Sequence, residues 1–100
     1  MPSGVFENSA KRKLKRGELV LCMALSQIHS ADGPMIAQAC GFDAIFVDLE
    51  HSPISMSAAS QVCVAAQGLG ITPIARVGSQ HAIDATRILD TGAQGVMVPH

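Results

Sequence analysis

Residues 43–49 read DAIFVDL and run directly into EHSP at 50–53. The stretch is almost continuously apolar between its two aspartates, which suits a strand buried on both faces, as in a parallel sheet covered by helices. Pro53 then breaks the extended run. Working outward, Ser57–Gln67 reads as a helix of small residues closed by Gly68 and Gly70, and Ile71–Val77 as the next strand. Gln80–Asp90 reads as a helix with Gly92 beyond it, and Gly95–Val98 as the start of a fourth strand. Upstream, Leu19–Leu25 is a first strand. Ala31–Cys40 is a helix with Asp32 near its start, Pro34 in its first turn and Gly41 placed to end it. Strand and helix alternate at a spacing of about 25 residues, which predicts right-handed βαβ crossovers and a parallel sheet. An open doubly wound sheet and a (β/α)8 barrel both fit. The final VMVPH leaves a strand without a covering helix, and a whole barrel takes about 250 residues. The expectation is therefore an α/β fold: the N-terminal part of a TIM barrel, with about four parallel strands and intervening helices. Residues 1–100 would form one portion of a single domain, with 1–16 as a basic N-terminal helix.

Composition narrows the function classes. Of 100 residues, 48% are hydrophobic and 15% charged, with a formal net charge of −1, too apolar and too neutral for intrinsic disorder. A chain of this size buries roughly 65% of its unfolded surface, so two complete domains are excluded. Aromatics are 3%, with no Trp or Tyr, leaving few platforms on which nucleic-acid bases could stack. No apolar run reaches the ~18 residues of a membrane span. KRKLKR at 11–16 ahead of LVLCMAL at 19–25 has the outline of a secretion signal, but Glu18 interrupts it and no small-x-small cleavage site follows. Cys22, Cys40 and Cys63 are odd in number, form no CxxC and lie in apolar surroundings, so they read as reduced, packed thiols of a cytoplasmic protein. Five of the seven basic residues precede position 17; beyond it two arginines face seven acids, a balance of −5. The basic run reads as a solvated helix face rather than a nucleic-acid arm.

Parallel α/β folds carry their chemistry at the C-terminal ends of the strands. The second strand ends in Asp48, Glu50 and His51, and the third in Arg76, the only basic residue between positions 17 and 86. Arg76 can serve as an ion-pair partner of Asp48 or Glu50, as a bidentate clamp for a carboxylate or oxyanion, or as both. His51 is either a satisfied loop histidine or a general base beside two acids. His29, His81 and His100 are weaker candidates, without an acidic cluster alongside. Asp90, at the end of a helix, faces the negative pole of the macrodipole, and local capping before Gly92 is its plain explanation. After residue 16 there is no lysine, so no Schiff base can form in the body of the chain, and a metal is the alternative electron sink for carbonyl chemistry. No GxGxxG, Walker loop, HExxH or nucleophile elbow is present.

GFDAIFVDLEHSP at 41–53, PIARV at 73–77 and ILDTGAQGVMVPH at 88–100 together resemble the HpcH/HpaI aldolase family, of the 4-hydroxy-2-oxoheptanedioate and 2-dehydro-3-deoxyglucarate aldolase type. The resemblance implies a (β/α)8 barrel, usually hexameric, that reversibly cleaves 4-hydroxy-2-oxo acids to pyruvate and an aldehyde. It implies a divalent metal, Mg2+, Mn2+ or Co2+, chelated by the 2-oxo acid, with a Glu and an Asp ligand expected beyond residue 100. It casts His51 as catalytic base, Arg76 as the residue binding the pyruvyl oxygen, Asp90 as the acid raising the histidine's basicity, and Asp48, with Glu50, in support. Because Asp90 ends the third helix, at the opposite rim from His51, that role requires a subunit interface. A citrate-lyase-type acyl-CoA lyase and a non-catalytic open-sheet binding module are the alternatives. The 100-residue segment alone is expected to be inactive, with an unpaired strand edge prone to aggregate.

Overall fold

The computed structural model describes residues 7–26, 28–78, 80 and 82–98. His81 and His100, named among the weaker candidates, lie outside the described residues. The elements are α1 (Ser9–Lys15), β1 (Cys22–Leu25), α2 (Asp32–Ala39), β2 (Ala44–Asp48), α3 (Met56–Gly68), β3 (Thr72–Arg76), α4 (Ala82–Thr91) and β4 (Gly95–Met97). The strands form one sheet in the order β1-β2-β3-β4, every neighbouring pair parallel.

Helices α2, α3 and α4 lie side by side on one face of that sheet. A doubly wound sheet reverses its strand order and carries helices on both faces. A sheet wound in one direction with its helices on one side is the barrel arrangement, as expected from the sequence, and not the open doubly wound one. The covered face holds the core: Leu25, Ile45, Val47, Ala75 and Val77 from the strands meet Ala59, Val62, Cys63 and Ala66 from α3 and Ile88 from α4. Alternation along each strand sends Cys22, Ala24, Phe46, Ile74 and Met97 to the opposite face, where all are exposed or half-buried. The Cα radius of gyration is 12.7 Å, the size of a compact 100-residue unit.

Three expectations need correction. The first strand begins at Cys22, not Leu19: Leu19 and Leu21 are exposed, and both the carbonyl and the amide of Leu21 are bonded to Asp43 just ahead of β2. Of the three thiols only Cys63 is packed, and burial pushes it up to about 11; Cys22 and Cys40 are exposed, one on the uncovered sheet face and the other capping α2. The helix predicted from Ser57 starts one residue earlier because Ser55 caps it, its hydroxyl accepting from the Ala58 amide at 3.1 Å.

The basic side chains of α1 are solvated, yet the helix is not loose. Buried Thr72 accepts from the Ala10 amide at 3.0 Å and donates to Asn8 Oδ1 at 3.0 Å, Ser9 Oγ donates to the Gly70 carbonyl at 2.8 Å, and Lys13 pairs with Asp43 at 2.7 Å. These contacts fix α1 across the N-terminal ends of β2 and β3, the rim opposite the candidate site. Thr72→Val keeps the volume and deletes the hydroxyl's contacts with the Ala10 amide, Asn8 Oδ1 and Ser9 Oγ; a loss of about 1–2 kcal/mol is expected in denaturant unfolding, because buried partners are left unsatisfied. Gly92 has φ 144°, and a Cβ there would lie 3.1 Å from Cys63 Cβ and 3.3 Å from the Val64 amide nitrogen. Gly92→Ala is therefore expected to destabilise by about 1–3 kcal/mol, since strain and overlap with α3 act together.

Candidate active site

Asp48 and Arg76 are register partners at the last paired positions of β2 and β3. Their side chains leave the sheet on the same, helix-free face, because parallel neighbours in register point the same way. Arg76 Nε donates to Asp48 Oδ1 at 3.2 Å and Nη2 to Oδ2 at 2.5 Å, a two-point fork. The guanidinium also lies over the Phe46 ring, 5.4 Å from its centroid, within range of a cation–π contact.

Asp48 does more than pair. Its Oδ1 accepts the backbone amides of Glu50 at 2.8 Å and His51 at 2.9 Å, while its carbonyl accepts from Ser52 Oγ at 2.5 Å. One carboxylate thus ties the end of β2, the turn carrying Glu50 and His51, and the arginine of β3. The Arg76 guanidinium and, less strongly, the two amides hold the Asp48 carboxyl well below the usual carboxylate range against the opposing effect of burial; Asp48 in turn raises Arg76.

Glu50 completes the corner. Its Oε1 lies 3.0 Å from His51 Nε2 and 3.4 Å from Arg76 Nε. Side-chain exposure is 15% for Glu50, 27% for Arg76 and 65% for His51, so the acids sit inside and the imidazole faces outward. Asp48, Glu50, His51 and Arg76 are brought together as the sequence suggested. Asp90 is not among them: α4 runs back from the C-terminal rim of the sheet, and Asp90 is exposed near its far end. Phe46 and Ser52 escaped the sequence reading. Phe46 precedes Asp48 by two positions in a strand, and that period alone places it on the same face.

Among the described residues, no three His, Cys, Asp or Glu side chains converge to hold a metal ion. Asp48 already spends both oxygens on Arg76 and the turn amides. These residues by themselves do not build a metal centre.

A single-wound parallel sheet with a guanidinium, two carboxylates and an imidazole at the C-terminal ends of neighbouring strands defines a (β/α)-barrel protein with its polar site on the rim such folds use. The chain belongs to the HpcH/HpaI aldolase/citrate lyase family, whose model matches residues 23–100. It is 34% identical over 96 residues to a 4-hydroxy-4-methyl-2-oxoglutarate aldolase of Hapsidospora irregularis, covering 95% of this chain and 36% of that protein. It is 36% identical over 97 residues to a hydroxypyruvate/pyruvate aldolase of Paraburkholderia phytofirmans, covering 95% and 37%. Among solved structures, a citrate synthase superposes with a TM-score of 0.85 at 32% identity, covering 94% of this chain and 38% of that one. An HpcH/HpaI aldolase from Desulfitobacterium hafniense superposes with a TM-score of 0.83 at 28% identity, covering 89% and 34%. The chain thus spans little more than a third of the length of these relatives.

Proposed function

We propose that residues 1–100 are the N-terminal portion of a single barrel domain that cleaves a 4-hydroxy-2-oxo acid reversibly to pyruvate and an aldehyde, as a metal-dependent class II aldolase. The observation that carries this reading is the joining of Arg76 and His51 through one oxygen of Glu50 at the C-terminal ends of adjoining strands. The printed names of the aldolase relatives support the same class.

In this reading His51 takes the proton of the 4-hydroxyl, directly or through water. The C3–C4 electron pair moves onto the 2-oxo unit, C4 departs as the aldehyde carbonyl, and the enolate takes a proton at C3 to become pyruvate. Arg76, already oriented by Asp48 and Phe46, places a fixed positive charge where the enolate oxygen develops. Positioned proton transfer contributes about 10^2–10^4-fold in enzymes generally, and His51→Ala is expected to lose that much of kcat.

A divalent cation, Mg2+, Mn2+ or Co2+, belongs to the proposal, held by side chains these residues do not include. Among the described residues Arg76 faces both Asp48 and Glu50, and a metal would add the further positive charge that favours gripping an anionic acid. The test is pyruvate release from a 4-hydroxy-2-oxo acid by the full-length gene product. Activity should be lost with EDTA and return with Mn2+ or Mg2+, whereas turnover that survives chelation sinks the metal-dependent reading. Residues 1–100 alone are expected to give no turnover.

Assembly as a homo-oligomer, a hexamer by family analogy, is part of the same proposal, as is a cytoplasmic, reducing location for the free thiols. Exposed Met35, Ile36, Val64, Ile83 and Leu89 on the outer helices offer apolar surface for subunit contact. Asp90, beside Leu89, would then assist a neighbour's His51 across the interface. Mixing inactive His51→Ala and Asp90→Ala chains should recover part of the activity by pairing intact residues; no recovery on co-assembly contradicts the shared site. No helix among the described residues is long and apolar enough to cross a membrane.

A further inference from the structure

We propose that Phe46 is a positioning residue for Arg76: its ring holds the guanidinium at a fixed tilt, so that the arginine offers a bound anion the edge that Asp48 leaves over. The consequence for turnover rests on the aldolase reading; the hold on Arg76 does not.

Two bonds to one carboxylate leave a hinge. Arg76 Nε and Nη2 reach Asp48 Oδ1 and Oδ2 at 3.2 and 2.5 Å, which fixes the guanidinium within the plane of the fork. Rocking about the line through the two oxygens breaks neither bond, yet it swings Nη1, which takes part in neither. Glu50 Oε1, 3.4 Å from Nε, stands close to that hinge line and restrains the swing little. Phe46 meets the swinging part: the guanidinium carbon lies over its ring, 5.4 Å from the centroid, where a cation is attracted to the negative ring face. The ring is itself well anchored. Phe46 sits in the middle of β2, a strand paired on both sides, between Ile45 and Val47, which are fully buried on the helix-covered face. In register across the sheet stand Ala24, Phe46, Ile74 and Gly95, two large side chains flanked by two of the smallest residues. Ile74 packs over Gly95, where an added Cβ would lie 3.3 Å from Ile74 Cγ1. Asp48 and Arg76 form the next row toward the C-terminal rim, so Arg76 is the diagonal neighbour of Phe46, within reach of an aromatic side chain. Asp48 and Phe46 thus restrain different motions of one group. What they leave for a ligand is the edge of Nη1 and the outer hydrogen of Nη2, an end-on pair of donors suited to a carboxylate or an oxyanion.

The experiment follows the Arg76 Nε–H signal in the side-chain 1H–15N spectrum of the full-length protein, with Arg76→Lys identifying it. A ring current moves protons over an aromatic face upfield, so the signal should lie upfield in the parent and return downfield in Phe46→Leu. Nitrogen relaxation on the same samples should show a rigid guanidinium in the parent and a more mobile one in Phe46→Leu. Kinetics give a second readout if the aldolase reading holds: kcat/KM for pyruvate release should fall about three- to tenfold in Phe46→Leu, the worth of one partly desolvated cation–π contact. Phenylalanines carrying successively more fluorine at position 46 weaken the ring face with hardly any change of shape, so kcat/KM should fall stepwise along the series. An Arg76 signal with the same position and mobility in the parent and Phe46→Leu overturns the proposal, as does a flat fluorine series in an active enzyme, which would reduce the ring to a space filler. An inactive parent whose Arg76 signal behaves as expected refutes the aldolase reading and upholds the hold on Arg76. The fluorinated proteins carry the same spectroscopic test if Phe46→Leu does not fold.

Discussion

Arg76→Met is expected, under the proposed aldolase reaction, to lower kcat/KM for pyruvate release by about 10^2–10^3-fold, the usual loss when one preorganised donor to a developing oxyanion is removed. Methionine retains an unbranched apolar stem against Phe46 but brings no charge and no donor. Arg76→Lys separates the two roles of the arginine. An ammonium can still neutralise Asp48, but it cannot span Oδ1 and Oδ2 while presenting a further face to a ligand, since it lacks the planar fork. The lysine variant should therefore keep most of its stability and lose about tenfold or more in kcat/KM. Full activity in Arg76→Lys with wild-type melting would reduce Arg76 to an ion-pair partner. Steady-state kinetics and thermal unfolding on the same preparations decide the matter.

The second large effect falls on stability. Asp48→Ala removes at once the partner of Arg76 and the acceptor of the Glu50 and His51 amides. A loss of about 2–3 kcal/mol in denaturant unfolding is expected, because several donors lose their acceptor together. Activity should fall with it, since the turn bearing His51 is no longer tied to β2. Asp48 also gives a pH signature. Its carboxyl is held below its unfolded value by Arg76 and the amides, so its contribution is fully present above about pH 4 and is lost as the pH falls toward its folded value. Asp48→Asn should flatten the decline of stability below pH 4 and leave the neutral region without a new slope. An acid limb as steep in Asp48→Asn as in the parent would assign the decline to other carboxylates.

Much of this site was legible in the sequence. DAIFVDL and PIARV are apolar enough to declare strands, and the rule that parallel sheets work at their C-terminal ends puts Asp48, Glu50, His51 and Arg76 at one rim. Their register was not legible: that Asp48 faces Arg76 and not Ala75 follows from strand pairing over a separation of 28 residues. Nor was the division of labour between the two acids. Asp48 and Glu50 read alike, but one spends its oxygens on Arg76 and the turn while the other reaches His51. Thr72 gave no sign of its part, because anchoring α1 depends on a helix more than sixty residues away. Leu19 and Leu21 looked like strand residues for the opposite reason: local apolar pattern is blind to whether a neighbouring strand is there to pair with them.

The central claim is that Arg76 and His51 act on one bound molecule. The most direct measurement is a double-mutant cycle on kcat for pyruvate release, using Arg76→Met, His51→Ala and the two combined. Residues that serve a single transition state are grossly non-additive, so the double variant should be scarcely slower than the worse of the two singles. If its loss instead equals the product of the single losses, the two side chains work independently and the site described here does not exist.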